Sequence, residues 1–154
     1  MRDRERLRTR AKLHALLRAL PKVDLHRHLE GSLRLQTLAD IAQEHGIDLP
    51  SYDIEYLRPF ATVTDDEPNF HLFLEKFTFL RRFFPTQAAV ERIAYEAVAD
   101  AAADNIKYLE LRFNPVALAQ EQRASLDRVV VWVCRAVAQA RRDCEIHIGL
   151  ILQI

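Results

Sequence analysis

The sequence has 154 residues, the size of one ordinary domain, and 49% of them are apolar. That apolar fraction suffices for a buried core and excludes a disordered chain. The 22 basic and 22 acidic side chains cancel, which argues against a nucleic-acid partner, because binding a polyanion needs a net basic surface. No run approaches the roughly 20 apolar residues of a membrane span, and no apolar signal-type stretch follows the basic N-terminus. We therefore expect a cytoplasmic protein without a membrane partner.

Residues 1–20 are predicted to form a basic N-terminal helix, with seven basic and two acidic side chains. Four leucines recur in it at helical spacing: Leu13, Leu16, Leu17 and Leu20. One apolar stripe indicates a helix that packs on the domain and ends at Pro21. The alternative is a helix that lies on a membrane surface.

Residues 22–29 alternate apolar and polar side chains, and this period of two predicts a β-strand. His26 and His28 are two residues apart, so they project from the same face of the strand. The loop that follows contains Gly31, which would supply an unusual backbone angle. Ser32 is then a candidate N-cap for the next helix, which Gly46 would close.

Periodicity predicts three further helices, over 70–84, 86–104 and 125–142, and two further strands, over 107–113 and 145–154. Residues 47–69 are loop-like, with three prolines and an acidic run. Strands that alternate with helices indicate parallel β/α units joined by right-handed crossovers. Three units cannot close a barrel of eight strands and typically ~250 residues. We therefore expect an incomplete barrel, whose last strand could pair with a second copy of the chain.

The helix predicted over 70–84 is rich in phenylalanine. Phe70, Phe73 and Phe77 share one face of it, and such a stripe indicates either a core face or the wall of a pocket for a planar ligand. Cys134 and Cys144 are predicted to be reduced, buried thiols rather than a disulfide. The remaining histidines are predicted to lie on the surface or to be hydrogen-bonded in the core: His14, His45, His71 and His147.

The His26-x-His28 pair is the feature that points to chemistry. Two imidazoles on one face of a strand can converge on one metal ion, and zinc takes neutral imidazole nitrogen while catalytic sites keep one position for water. In parallel β/α folds, reactive groups gather at the C-terminal ends of the strands, where this pair lies. The alternative is two polar residues that are merely solvated or hydrogen-bonded at a strand terminus.

The segment Pro21-Lys-Val-Asp-Leu-His-Arg-His-Leu-Glu-Gly-Ser32 closely resembles the opening strand and loop of the adenosine deaminase family. Phe73-Leu-Glu-Lys-Phe77 resembles the family's helix over the substrate pocket, and Tyr108-Leu-Glu-Leu-Arg-Phe-Asn-Pro115 resembles its second barrel strand. Residues 146–154 are similar to its third strand. The resemblance covers about residues 20–154, so residues 21–154 are expected to be the N-terminal part of the family's barrel domain.

The resemblance implies an α/β fold, the first three β/α units of a (β/α)8 barrel that holds one Zn²⁺ ion. It implies that His26 and His28 bind the metal and that Glu30 helps to hold the substrate's sugar. Glutamate stands there in place of the aspartate usual in the adenosine deaminases, which leaves adenosine, adenine and 6-amino-deoxyfutalosine open as substrates. It further implies that Gly31 lets the backbone approach the purine, and that Arg112 has a structural role.

The resemblance also assigns Phe70, Phe73 and Phe77 to the apolar lid over the substrate. The implied reaction is hydrolytic deamination at C6 of a 6-aminopurine, with release of ammonia. The family's remaining metal ligands and its catalytic glutamate come from later strands, so no catalytic residue is expected within this chain. A two-ligand site should hold zinc weakly, so residues 1–154 alone are expected to be inactive. An inactive fragment that serves as an interaction module is the alternative.

Overall fold

A computed structural model describes residues 2–64 and 69–153, and the side chains from residue 9 onward. Its helices are α1 (Arg2–Ala19), α2 (Leu35–His45), α3 (Ile54–Ala61), α4 (Phe70–Arg81), α5 (Gln87–Ala103), α6 (Pro115–Gln122) and α7 (Leu126–Asp143). Its strands are β1 (Lys22–His28), β2 (Ile106–Phe113) and β3 (His147–Leu152). The acidic run at 65–67 and the last residue of the predicted strand 145–154 lie outside the described residues.

The three strands form one parallel sheet in the order β1-β2-β3, so the predicted succession of β/α units is confirmed. Strand β2 shows the two faces of the sheet most plainly. Leu109, Leu111 and Phe113 are fully buried and face the helices, whereas Tyr108 and Arg112 alternate with them and point to the opposite face. That opposite face corresponds to the interior of a barrel.

Strand β1 contains a β-bulge. Asp24 pairs with Leu109 and Arg27 pairs with Leu111, so two residues of β1 lie opposite the single residue Glu110. Asp24 and Arg27 are three residues apart, yet both pair with helix-facing residues. After the extra residue, the side chains of β1 therefore point to the opposite faces from those that regular alternation would give them. The period of two in the sequence did not predict this change.

Helices α5 and α7 cover the helix-facing side of the sheet. Helix α5 packs against α7 and β2, and α7 also contacts β3. Their buried side chains are small or branched: Val90, Ile93, Ala97, Val129, Val133 and Val137. Phe83 and Phe84 follow α4 and are fully buried in the same core. Alanine on α5 lets the helix approach closely, so one compact apolar layer holds the strand ends in place.

Two short helices were not predicted. Helix α3 lies in the segment that the prolines had marked as a loop, because Asp53 caps it by accepting a hydrogen bond from the Tyr56 N–H at 2.9 Å. Pro59 falls late in α3, where it removes only one helical hydrogen bond. Helix α6 begins at Pro115, which is favoured at a first helical position, and the Asn114 side chain caps it.

The predicted Ser32 cap is wrong. The Ser32 hydroxyl instead donates to the carbonyl of His28 at 2.7 Å, and Arg34 occupies the N-cap of α2 without a side-chain hydrogen bond. Gly31 does not have the positive φ that was expected of it, whereas Gly46 does, at 62°, and ends α2 as predicted. The Ser32 hydroxyl therefore fixes the turn after β1 rather than starting the helix.

Helix α1 ends before Pro21, as predicted, but the leucine stripe predicted over Leu13–Leu20 does not pack on the domain. Leu13, Leu16, Leu17 and Leu20 remain about half exposed, between 47% and 58%. Its C-terminal end is tied to the sheet through the Ala19 carbonyl, which accepts from the Asn105 amide at 2.7 Å. Within the described residues, no helix is both long and apolar enough to cross a bilayer.

The two cysteines are free, as predicted. The prediction that both are buried was wrong, because Cys134 is exposed and Cys144 is half-buried. Cys134 lies on the outer side of α7, between the buried residues Val133 and Ala136. Cys134 therefore lies outside the apolar face of the helix.

Val133→Ala is expected to lower the free energy of unfolding by about 2 kcal/mol, because Val133 is fully buried between α7 and the sheet. Val131→Ala is the matched control on the same helix, since Val131 is 51% exposed, and it should change stability by no more than about 0.5 kcal/mol. Urea denaturation followed by circular dichroism measures both. Equal losses in the two variants would contradict the described core.

Candidate functional site

His26 and His28 converge at the C-terminal end of β1. Their Nε2 atoms are 3.3 Å apart, and their ring centroids are 5.2 Å apart with the planes tilted by 49°. Two imidazole nitrogens bound to one tetrahedral zinc at roughly 2.0–2.1 Å each would lie about 3.3–3.4 Å apart. The two nitrogens thus have the separation of two ligands of one tetrahedral ion, which is also a hydrogen-bond distance between two imidazole rings.

The turn after β1 holds the His28 backbone. Its carbonyl accepts from the Gly31 N–H at 3.2 Å and from the Ser32 hydroxyl at 2.7 Å. The next residue, Leu29, donates its N–H to the carbonyl of Arg112 at 2.8 Å and buries its side chain completely. His28 is therefore fixed on both sides, by a turn and by the neighbouring strand.

Glu30 is a buried carboxylate next to the histidine pair, with only 1% of its surface exposed. One oxygen, Oε1, accepts from the backbone N–H of Asn114 at 3.0 Å and so joins the ends of β1 and β2. The other oxygen, Oε2, is buried without a hydrogen-bond partner among the described residues. A buried polar atom without a partner is costly, so Oε2 keeps an unused capacity to accept a hydrogen bond.

The electrostatics around His28 favour the neutral imidazole. Burial lowers the pKa of His28 below 6.5; the negative charge of Glu30 raises it, and the neighbouring His26, Arg112 and Arg81 lower it further. Because the lowering causes prevail, the ring keeps a lone pair for a metal at neutral pH.

The aromatic residues of α4 face the site unequally. The Phe77 ring meets the His28 ring edge-on, with centroids 5.4 Å apart, and Phe73 meets Phe77 at 5.2 Å. Phe70 lies about one helical turn before Phe73, and their ring centroids are 6.5 Å apart. Its side chain is mostly exposed. None of the three is buried in the core, so the interpretation of this stripe as a core face is wrong.

A cavity of about 490 Å³ lies between the end of β1 and helix α4. The residues lining it include His26, His28, Gly31, Phe73 and Phe77. Gly31 lies against Phe77, since a Cβ on it would come within 3.7 Å of that ring. A side chain there would narrow the cavity from the loop side.

Thr62, Val63 and Lys76 also line the cavity, and sequence reasoning missed them. Thr62 and Val63 follow α3, within the segment that had been predicted as a loop. Lys76 could have been found, because it is three residues after Phe73 and therefore lies on the same face of α4. Its ammonium group donates to the carbonyl of Pro59, which ties α4 to α3.

The other four histidines are exposed, as predicted. No group of three or more histidine, cysteine or acidic side chains that could hold a metal ion occurs in the described part of the chain. The candidate site therefore offers two nitrogen ligands, a half-satisfied carboxylate and two aromatic walls.

The chain is similar to curated relatives and to solved structures. The adenosine deaminase family model matches residues 21–154. An adenosine deaminase of Vibrio vulnificus is 41% identical over 135 residues, which is 88% of this chain and 40% of that protein. One from Proteus mirabilis is 39% identical over 132 residues. The chain thus spans about two fifths of the length of these relatives.

Two solved structures share the fold. The adenine deaminase of Arthrobacter aurescens superposes with a TM-score of 0.74 at 28% identity, covering 87% of this chain and 39% of that one. A Burkholderia amidohydrolase solved with bound zinc superposes with a TM-score of 0.75 at 28% identity, covering 91% of this chain and 37% of that one. The family match begins at residue 21, directly after α1. The chain belongs to the adenosine deaminase family.

Proposed function

We propose that this chain contributes the first two metal ligands and one wall of the substrate pocket to a zinc-dependent hydrolase that deaminates a 6-aminopurine. The observation that carries the proposal is the 3.3 Å separation of the His26 and His28 Nε2 atoms. Membership in the adenosine deaminase family narrows the reaction to the replacement of an amino group by oxygen.

The donor set suits zinc. Both ligands are imidazole nitrogens, and burial keeps His28 neutral and so able to coordinate. When bound, zinc would lower the pKa of a coordinated water molecule, which makes a nucleophile available near neutral pH. Further ligands have to come from outside the described residues, because no third one is near.

The remaining residues would hold and shield the purine. Phe73 and Phe77 present ring surface and edges to the cavity, so a planar base placed there would be withdrawn from water. Phe70, about one helical turn before Phe73, would extend this lid. The free Glu30 Oε2 would accept a hydrogen bond from a ligand hydroxyl or N–H. Gly31 leaves room for the ligand beside Phe77.

Adenosine is our first candidate substrate, with adenine and 6-amino-deoxyfutalosine as alternatives. Curated relatives at about 40% identity are named adenosine deaminases, whereas one structural neighbour is named an adenine deaminase. Glu30 distinguishes these candidates in principle. Its longer side chain already reaches the Asn114 N–H, and this contact sets how near its second oxygen comes to a sugar.

A second candidate function is self-association. Strand β3 pairs with β2 on one side, and no strand of the described chain pairs with its other edge. Leu152 at the end of β3 is half exposed. An open parallel edge with apolar residues can pair with another chain. A dimer without metal, seen by size-exclusion chromatography and metal analysis, would favour this interaction module over the hydrolase.

His26→Ala is expected to weaken Zn²⁺ binding by the 154-residue chain by more than about tenfold, because it removes one of two ligands, and changes to mere supporting residues already cost that much. Isothermal titration calorimetry measures the dissociation constant. His147→Ala is the matched control, since His147 is exposed on β3, and it should leave the constant unchanged. Equal binding by both variants would contradict the site.

A chimaera in which residues 21–154 replace the corresponding part of the Vibrio vulnificus enzyme is expected to release ammonia from at least one of the three candidate substrates. His28→Ala in the chimaera should reduce the rate to background, because the metal loses a ligand. The 154-residue chain alone is the control and should release none. A chimaera that folds by circular dichroism but accepts no substrate contradicts the proposal, as does turnover by the chain alone that His26→Ala abolishes.

Glu30→Gln is expected to lower the pKa of His28 further below 6.5, because it removes the negative charge that favours the imidazolium ion. Chemical shifts of the imidazole followed by NMR between pH 4 and pH 8 give the titration midpoint. Glu121→Gln removes the same charge from the exposed end of α6 and should leave the midpoint in place. A rise in the midpoint after Glu30→Gln would show that the carboxylate does not act on His28 as described.

A further inference from the structure

The bulge in β1 decides which side of the sheet the histidine pair occupies. In a regular strand, Val23 and His28 would lie on opposite faces, since they are separated by an odd number of positions. In this structure Val23 pairs with Tyr108 and His28 pairs with Arg112, and both partners point away from the helices. The extra residue at Leu25–His26 therefore moves His28 from the helix layer to the open face.

A bulge leaves backbone groups without partners in the ladder, and here two charged side chains supply them. Neither Leu25 nor His26 has a ladder partner in β2. The Leu25 carbonyl accepts from Nη2 of Arg112 at 2.9 Å, and the His26 N–H donates to Oδ1 of Asp24 at 3.1 Å. One carbonyl and one N–H of the bulge are thus satisfied by side chains.

The two side chains that bind the bulge, Asp24 and Arg112, differ in their own contacts. The second oxygen of Asp24, Oδ2, accepts from Nε of Arg27 at 2.8 Å. Asp24 and Arg27 both pair with helix-facing residues of β2, so the bulge places them on the same side of the strand. Arg112 lies opposite His28 in the register, and its Nη2 reaches back to the Leu25 carbonyl in the bulge. The Nε of Arg112 is buried without a partner in the described chain, whereas its Nη2 has the Leu25 carbonyl as an acceptor.

We infer that Arg112 and Asp24 are positioning residues, which hold the Leu25–His26 bulge and thereby bring the Nε2 atoms of His26 and His28 to a common point. The inference rests on the proposed metal site and extends it. A guanidinium placed beside a metal site is otherwise unfavourable, because a cation repels a cation. Its presence there is accounted for by the carbonyl that it satisfies.

The repulsion makes the test discriminating. By charge alone, Arg112→Met should tighten metal binding, because it removes a positive charge near His28. If Arg112 positions the bulge, Arg112→Met should instead weaken binding by about 10–100-fold, the usual cost of losing a group that orients a ligand. Arg112→Lys keeps the charge and one donor and should recover most of the binding. Arg141→Met, at an exposed arginine of α7, is the control for loss of charge.

Two measurements on the 154-residue chain are needed. The first is metal-free and records by NMR the nuclear Overhauser effect between the His26 and His28 rings, which should vanish in Arg112→Met and persist in Arg112→Lys. The second is titration with Cu²⁺, which binds imidazole sites most strongly among the first-row ions. Electron paramagnetic resonance then counts the bound nitrogens, expected to be two in the unchanged chain and fewer in Arg112→Met.

A folded Arg112→Met chain that keeps the ring-to-ring signal, or binds Cu²⁺ as tightly as the unchanged chain, overturns the inference. If Arg112→Met does not fold, Asp24→Ala replaces it in the same measurements, with Asp24→Asn as its conservative partner. Loss of folding in Asp24→Ala as well would assign both residues to the fold and overturn the positioning role. If the unchanged chain shows the Arg112-dependent ring contact but binds no Cu²⁺, the proposed function fails while the positioning role stands.

Discussion

The convergence of two imidazoles depends on a single extra residue in the first strand. A parallel sheet covered by helices has one face filled with apolar side chains, here Leu109, Leu111 and Phe113 of the central strand. A metal ligand on that face would have no access to solvent or substrate. The bulge at Leu25–His26 reverses the faces on which the following residues of β1 lie. The histidines therefore share the open face, whereas Leu29, directly after His28, is buried in the core.

The site contains partly or fully buried polar groups, and one of them lacks a hydrogen-bond partner among the described residues. His28 is desolvated enough for its pKa to fall, and Glu30 is buried with one of its oxygens unpartnered. Such groups cost stability unless a ligand or ion completes them. Hydrogen bonds from the Asn114 N–H and the Ser32 hydroxyl stabilise the loop on which Glu30 lies and so offset that cost. A stable layer of α5, α7 and β2 thus supports a loop that is poised for binding.

The aromatic helix illustrates the same division between scaffold and site. Phe83 and Phe84, after the end of α4, are fully buried and anchor the helix to the core. Phe73 and Phe77 on the helix itself remain accessible and face the histidines. Helix α1 lies outside the family match, and Leu13, Leu16 and Leu17 on it are exposed.

The order of the elements, the parallel sheet and the histidine pair could all be predicted from the sequence. Alternation and helical periodicity are local properties, and His26 and His28 are two residues apart in one strand, so alternation alone predicts that they share a face. The Gly46 helix end and the exposure of the remaining histidines were equally local. Helices α3 and α6 were missed because the nearby prolines indicated loops. The side-chain caps Asp53 and Asn114, which start these helices, were not recognised.

What only the tertiary structure decided is which face of the sheet the pair occupies and what surrounds it. The bulge depends on Arg112, 87 residues after the Leu25 carbonyl that it satisfies, and no local pattern encodes that contact. The burial of Glu30 depends in the same way on the end of β2, and the role of Phe77 depends on the approach of α4 to the loop. Sequence periodicity specifies the direction of a side chain relative to its own strand, whereas its surroundings follow from packing between distant segments.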